Sequence, residues 1–291
     1  MTSRHKKRKL LVRNVTIASI VAFLILGLVL YIFLRSNSVS KIESVLDATT
    51  TPVKISEKLP APDLLGRASL SYAGGTVGRH RNIEIGVARI NGTVVQPGEE
   101  FSFTKSLGLV RAQDGFTEQK VFLNGEVTTG IGGGLCQVST VLFRSLLQAG
   151  LPITERHNHT FTVAKYDVGL DATYSDPGPD LKFKNDTLKP IVIRGKTENK
   201  NAIFEIYGTS DGRVANTSDV NITNVIDFPP TKYINVATRE ADKPECINTP
   251  QIGYTAEVTY NVLYPNGIQK EDVFISNYKP LQRVCYIVGT E

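Results

Sequence analysis

The sequence predicts an α+β protein behind an N-terminal transmembrane helix, on three observations. A charge-free apolar run follows a basic N-terminus. A glycine-rich turn opens one amphipathic helix. That helix stands among segments with strand-like alternation and frequent turn residues. The expected order is a membrane helix, a mixed domain whose Cys-bearing helix packs on antiparallel strands, and a small all-β domain. Apolar residues make up 41% and charged residues 21% of the 291, the balance of a chain that folds.

The first expected element is the anchor, within residues 1–35. Arg4, Lys6, Lys7, Arg8, Lys9 and Arg13 precede TIASIVAFLILGLVLYIFL (16–34), which carries no charge. At 1.5 Å rise per residue such a run covers roughly the 30 Å of a bilayer core. Basic residues on its leading side place the N-terminus in the cytoplasm and the rest outside. The run closes with Tyr31, Ile32, Phe33 and Leu34 rather than with small residues, which favours an uncleaved anchor over a signal peptide. Removing the six cations from the 33 basic residues leaves one fewer than the 28 acidic ones. The folding part is thus nearly neutral, with no footprint for nucleic acid.

Residues 36–65, rich in Ser, Thr, Lys and Pro, read as a stalk. The mixed domain is expected over 66–215. Ile83, Ile85, Val87 and Ile90 form a helical face stopped by Gly92. Gln96-Pro97-Gly98 reads as a turn into a strand, and Asn124-Gly125 as a hairpin turn. In Ile131-Gly132-Gly133-Gly134-Leu135-Cys136-Gln137 the glycines open a helix whose apolar face carries Val138, Val141, Leu142, Ser145, Leu146 and Ala149. Gly150 caps it and Pro152 stops it, giving roughly 14 residues. TERHNHTFTVAKY and GLDATYSD read as two strands joined at Asp167–Gly169. Further strands follow, with turns at Asn185-Asp186 and Glu198–Asn201. Residues 222–291 read as a small all-β domain with a Pro265-Asn266-Gly267 turn.

Cys136, Cys246 and Cys285 are the three cysteines. In an oxidising compartment Cys246 and Cys285, both near strand-like segments, are expected to pair, which leaves Cys136 as a free thiol. In the first turn of a helix a cysteine meets unpaired N–H groups and the positive end of the dipole, and both favour thiolate. The N–H groups of Gly133 and Gly134 offer an oxyanion hole. His157 and His159, two apart on one expected strand, supply a base, and Asp171 on the next strand an orienting carboxylate. The alternatives are a structural cysteine with hydrogen-bonding histidines, and a zinc site built from Cys136, His157, His159 and Asp171. The spacing is not that of a CxxC or HExxH zinc site, and the glycines are not followed by the Lys-Ser/Thr of a phosphate loop, so neither metal nor cofactor is expected. Gln137, Arg156, Tyr174, Lys182 and Asn185 flank the site and are candidates for binding a carboxylate-bearing peptide or glycan, alongside Lys184.

The stretch GGGLCQVSTVLFRSLLQAGLPITERHNHTFTVAKYDVGLDATYSDPGPDLKFKN resembles the core of the VanW family, and ASLSYAGGTVGRHRNIEIGVARINGTVVQPGEEFSF its upstream half. That resemblance implies an anchored cell-envelope protein of a bacterial group named from vancomycin-resistance clusters. The tail from about residue 222 is similar to the small β domains called G5. The Cys, His, Asp order is also similar to transglutaminase-like and papain-like cysteine enzymes. That similarity implies Cys136 as nucleophile, His157 or His159 as base and Asp171 as orienting acid. Two functions are therefore expected: a cysteine amidase, peptidase or transpeptidase acting on peptidoglycan peptide or protein amides, or a non-catalytic module that binds the cell wall or an envelope protein.

Overall fold

The computed structural model describes residues 62–123, 126–236, 245–246 and 248–288. In chain order its elements are β1 (Asp63–Ser71), α1 (Val77–Ile90), β2 (Val94–Val95), β3 (Glu100–Ser102), α2 (Phe103–Leu107), β4 (Glu118–Leu123), β5 (Glu126–Ile131), α3 (Leu135–Gln148), β6 (Ile153–Glu155), β7 (Lys182–Lys184), β8 (Ile191–Glu198) and β9 (Asn201–Gly208). They continue with β10 (Val214–Thr217), β11 (Asn221–Ile226), β12 (Lys232–Val236), β13 (Gly253–Leu263), β14 (Gln269–Tyr278) and β15 (Val284–Val288).

The α+β class is corrected by these elements. About 42% of the described chain is strand and 17% helix, with three α-helices, so the protein is mainly β. The sequence signal overstated the helices because their 3.6-residue periodicity is strong. Strands of two or three residues, such as β2, β3, β6 and β7, are too short to show any period. The membrane helix expected at 16–34 lies outside the described residues. Among the described residues no helix is long and apolar enough to cross a membrane. Most of the expected stalk also lies outside them, and its last three residues begin β1.

α1 starts six residues before Ile83, the first residue of its expected apolar face, because the Thr76 side chain accepts from the Arg79 amide at 3.1 Å and caps the helix. α3 keeps its expected bounds. Val138, Val141, Leu142, Phe143 and Leu146 are all fully buried, and each such side chain contributes roughly 1.5–3 kcal/mol relative to exposure. Gly86 lets α1 approach α3, since a Cβ there would lie 2.6 Å from Leu135 Cδ2. The helices pack on an antiparallel sheet of order β1-β9-β8-β2. The β8–β9 turn puts Asn199 and Lys200 at positive φ, the geometry of a tight hairpin. β4 and β5 pair as a hairpin, as Asn124-Gly125 predicts.

β13 carries β10 and β11 along one edge and β14 along the other. Tyr260 and Val262 of β13 join the same hydrophobic cluster as α3. The Tyr260 hydroxyl donates to the Leu147 and Leu151 carbonyls, both at 3.2 Å. The C-terminal strands thus cover the far end of α3, away from Cys136. A disulfide joins Cys246 to Cys285, where β12 runs parallel to β15.

The two strands expected across 154–176 do not form beyond β6. This segment is a connection whose backbone groups find partners on helix side chains instead of in a ladder. Ser139 Oγ and Thr140 Oγ1 donate to the Ala172 carbonyl at 2.7 and 3.2 Å, and the Ala172 amide donates back to Thr140 Oγ1 at 3.1 Å. Arg144 Nε reaches the Leu170 carbonyl at 3.0 Å, and Arg156 Nε the Asp171 carbonyl at 2.6 Å. Once those groups are satisfied, nothing drives pairing with another strand.

Candidate active site

The glycine turn aims α3. Gly134 is its N-cap at φ 116°, in the left-handed region, where an L side chain is strained. At Gly133 a Cβ would lie 2.7 Å from the Lys120 carbonyl oxygen. The Gly133 carbonyl accepts from Asn82 Nδ2 at 3.0 Å, and Asn82 is fully buried on α1. The turn is therefore held from β4 and from α1. Cys136 follows as the second residue of the helix, where its amide has no intrahelical acceptor.

Cys136 is half-buried and has no disulfide partner. Its sulfur lies 3.6 Å from Thr173 Oγ1 and 3.5 Å from the Tyr174 carbonyl oxygen. Burial opposes ionisation of the thiol. The hydrogen bond and positive charge of His159, with help from the Tyr174 backbone and Thr173, outweigh it and hold the thiol below its usual range. Burial likewise opposes charge on His159, but Asp171 and Cys136 together push the imidazole up to about 9. Both shifts favour the thiolate–imidazolium form over the neutral pair.

Asp171 organises the histidine. Its Oδ2 accepts from the His159 amide at 2.7 Å and pairs with His159 Nδ1 at 2.5 Å. With Nδ1 engaged, Nε2 is the ring nitrogen left for the sulfur. Asp171 is itself buried, which would raise its pKa, yet His159, Arg156 and Tyr278 hold it below the usual carboxylate range. Its Oδ1 accepts from Arg156 Nη2 at 3.0 Å and from the Tyr278 hydroxyl at 2.6 Å. Tyr166 packs against the imidazole, ring to ring at 5.4 Å.

Cys136, His159 and Asp171 therefore come together, with Asp171 bonded to His159 and the His159 charge acting on the thiol, while His157 does not join them. The His157 ring is half exposed and faces Glu155 Oε1 at 3.2 Å. The shared strand face expected for the two histidines fails because no strand forms there. The proposed zinc set is broken by the same displacement, and His159 Nδ1 and Asp171 satisfy each other. Among the described residues no group of three or more His, Cys, Asp or Glu side chains could hold a metal ion.

The expected binding residues have other work. Arg156, almost fully buried, pairs with Asp171, reaches Ser276 Oγ at 2.8 Å and lies over the Phe143 ring. Lys182 pairs with Glu155 at 2.7 Å. Asn185 is buried in a turn, donating to the Val95 and Lys189 carbonyls. Gln137 ties α3 to β1, its Nε2 donating to the Ser71 carbonyl at 2.9 Å. Tyr174 does lie at the site, through its backbone beside the sulfur and its ring edge-on to Phe103. Gly133 and Gly134 shape the turn. Thr173 and Tyr278 were not picked out from sequence. Thr173 stood in plain view two residues after Asp171, whereas nothing local marks Tyr278.

Residues 78–207 match the family model described as VanW like protein. The protein YoaR of Bacillus subtilis (strain 168) is 34% identical over 181 residues, which covers 62% of this chain and 59% of YoaR. The Vancomycin B-type resistance protein VanW of Enterococcus faecalis (strain ATCC 700802 / V583) is 40% identical over 114 residues, covering 36% of this chain and 40% of that protein. The chain thus spans less than two thirds of either relative. No solved structure matches. The matched segment, a little under half of the chain, holds Cys136, His159 and Asp171, and it is this segment that is VanW-like.

Proposed function

We propose that this protein is a cysteine-dependent acyl-transfer enzyme of the bacterial cell envelope, acting on an amide of a wall peptide or envelope protein. The observation that carries the reading is the chain Cys136–His159–Asp171 at the start of a helix, with the sulfur lowered in pKa by the imidazole. The disulfide Cys246–Cys285 supports a working place outside the cytoplasm. The resistance protein VanW among its relatives supports an envelope target.

The residues serve such a reaction as follows. The Cys136 thiolate attacks the amide carbonyl, and the negative charge on its oxygen falls to the free amide of Cys136 at the helix start. The C–N bond breaks as His159 gives its proton to the departing amine. The acyl group then sits on sulfur as a thioester. Water or a second amine attacks it with His159 as base, and thiolate leaves. Asp171 keeps the imidazole oriented throughout, a positioning role.

A second reading, a non-catalytic wall-binding module, draws on the half-buried sulfur tucked against Thr173 and Tyr174. Alkylation separates the two. Mass spectrometry after iodoacetamide at pH 6 is expected to show Cys136 labelled far faster than glutathione. A sulfur that resists labelling at pH 6 and again at pH 8.5 overturns the enzyme reading.

A further inference from the structure

Near the start of the helix that carries Cys136 stand two cations that pair with no acid among the described residues. Arg79 Nη2 and Lys165 Nζ both point at one atom, Gln137 Oε1, each at 3.5 Å. They are at most twice that distance apart. Among the described residues neither forms a salt bridge, although the neighbouring cations Arg144 and Lys182 each do. A single neutral amide oxygen at the outer limit of hydrogen bonding is a poor return for two charges.

Their placement is also costly. Arg79 lies in the first turn of α1, a turn with no acidic residue, where the helix dipole disfavours a cation. Its stem runs against the N-cap of α3, since a Cβ at Gly134 would meet Arg79 Cγ at 3.2 Å. Burial and then the charge of Arg79 both press the Lys165 ammonium down from its usual pKa. Gly134 lies two residues before Cys136, so the Arg79 stem stands at the start of the helix that carries the sulfur. Three unfavourable features, namely the dipole, the like charge and the partial desolvation, are relieved together when an anion bridges the two.

We propose that Arg79 and Lys165 form a carboxylate-binding subsite next to Cys136, which takes the free carboxylate of a peptide substrate close to the amide under attack. This rests on the cysteine reading above and gives it a substrate class, peptides with a free carboxylate near the scissile bond. Arg79 offers a planar fork to the two oxygens and Lys165 a point charge. The Gln137 oxygen holds both in place until a carboxylate arrives.

Iodoacetate and iodoacetamide test this directly, because they alkylate by the same displacement of iodide and differ in a carboxylate against an amide. The readout is the ratio of their rates at Cys136 in the full chain at pH 7 and low salt. The expected ratio is well above that for glutathione and falls as salt rises. It drops about tenfold in Arg79→Gln and in Lys165→Gln, the loss of one charge-assisted contact. Both variants still labelled, with the ratio unchanged, overturn the subsite and leave the cysteine reading standing. Wild-type protein that neither reagent labels overturns the cysteine reading, and the subsite with it. Lys165 is exposed on a connection, so its variant reports even if Arg79→Gln perturbs α1.

Discussion

The hydroxyl of Tyr278 donates to Asp171 Oδ1 at 2.6 Å across 107 residues of chain. Tyr278 closes β14, which also reaches the carboxylate from Ser276 through Arg156. The same phenol accepts from the Gly169 amide at 3.0 Å. Tyr278→Phe leaves that amide and one carboxylate lone pair unmatched in a buried place. A loss of about 1–3 kcal/mol is expected, read as a lower urea midpoint at unchanged m-value. An unchanged midpoint would mean that water replaces the phenol.

Thiolate at Cys136 depends on His159 and not on His157. An ordinary thiol is roughly 0.3% ionised at pH 6. After allowing for the weaker nucleophilicity of a low-pKa sulfur, labelling of Cys136 should still exceed that thiol by about tenfold or more. His159→Ala should abolish the excess, and His157→Ala should keep it. If the His157 variant loses it instead, the base has been misassigned.

The pH dependence of stability follows from the same groups. Asp171 is lowered in the folded state, so its contribution is present above the unfolded value of about 3.9 and is lost as pH falls through the folded one. His159 is raised to about 9, so its contribution is full below about 6.5 and is lost as pH rises through the folded value. Chemical denaturation across pH should therefore show a plateau with decline on both sides. Asp171→Asn leaves the Arg156 charge buried and unpaired. The variant should lose about 3–5 kcal/mol near neutral pH and flatten the acid limb.

Gly134→Ala tests the turn. The residue must keep φ near 116°, and its new Cβ meets Ile83 Cγ1 at 3.1 Å and Arg79 Cγ at 3.2 Å. A cost of about 1–3 kcal/mol is expected, together with slower labelling of Cys136 as the helix start shifts. Thermal melting and the iodoacetamide rate measure the two effects separately.

Local pattern was enough for much of this site. Periodicity marked α3 from end to end, and three glycines before Cys136 located the helix start. Charge and spacing then nominated His159 and Asp171. The choice between His157 and His159 was open, because two residues apart on an assumed strand are equivalent. The choice is made by Ser139, Thr140 and Arg144, which occupy the backbone groups of 170–172 and so prevent a strand. Arg156 was nominated to bind substrate from its position beside the histidines, but burial turned it toward Asp171. Arg79 went unnoticed, although a cation in the first turn of a helix is an anomaly that the sequence displays.

By itself the sequence determined which segments carry their own periodicity, where a glycine turn must sit, and that Cys136 is the cysteine left over once Cys246 and Cys285 pair. Those are properties of neighbours along the chain. Tertiary structure alone decided the mainly β class, which histidine faces the sulfur, and that β14 reaches back to hold Asp171. The reason is physical. A buried carboxylate takes whichever donors the fold brings within hydrogen-bond distance, and here Tyr278 and Arg156 arrive from elements that share no local pattern with it.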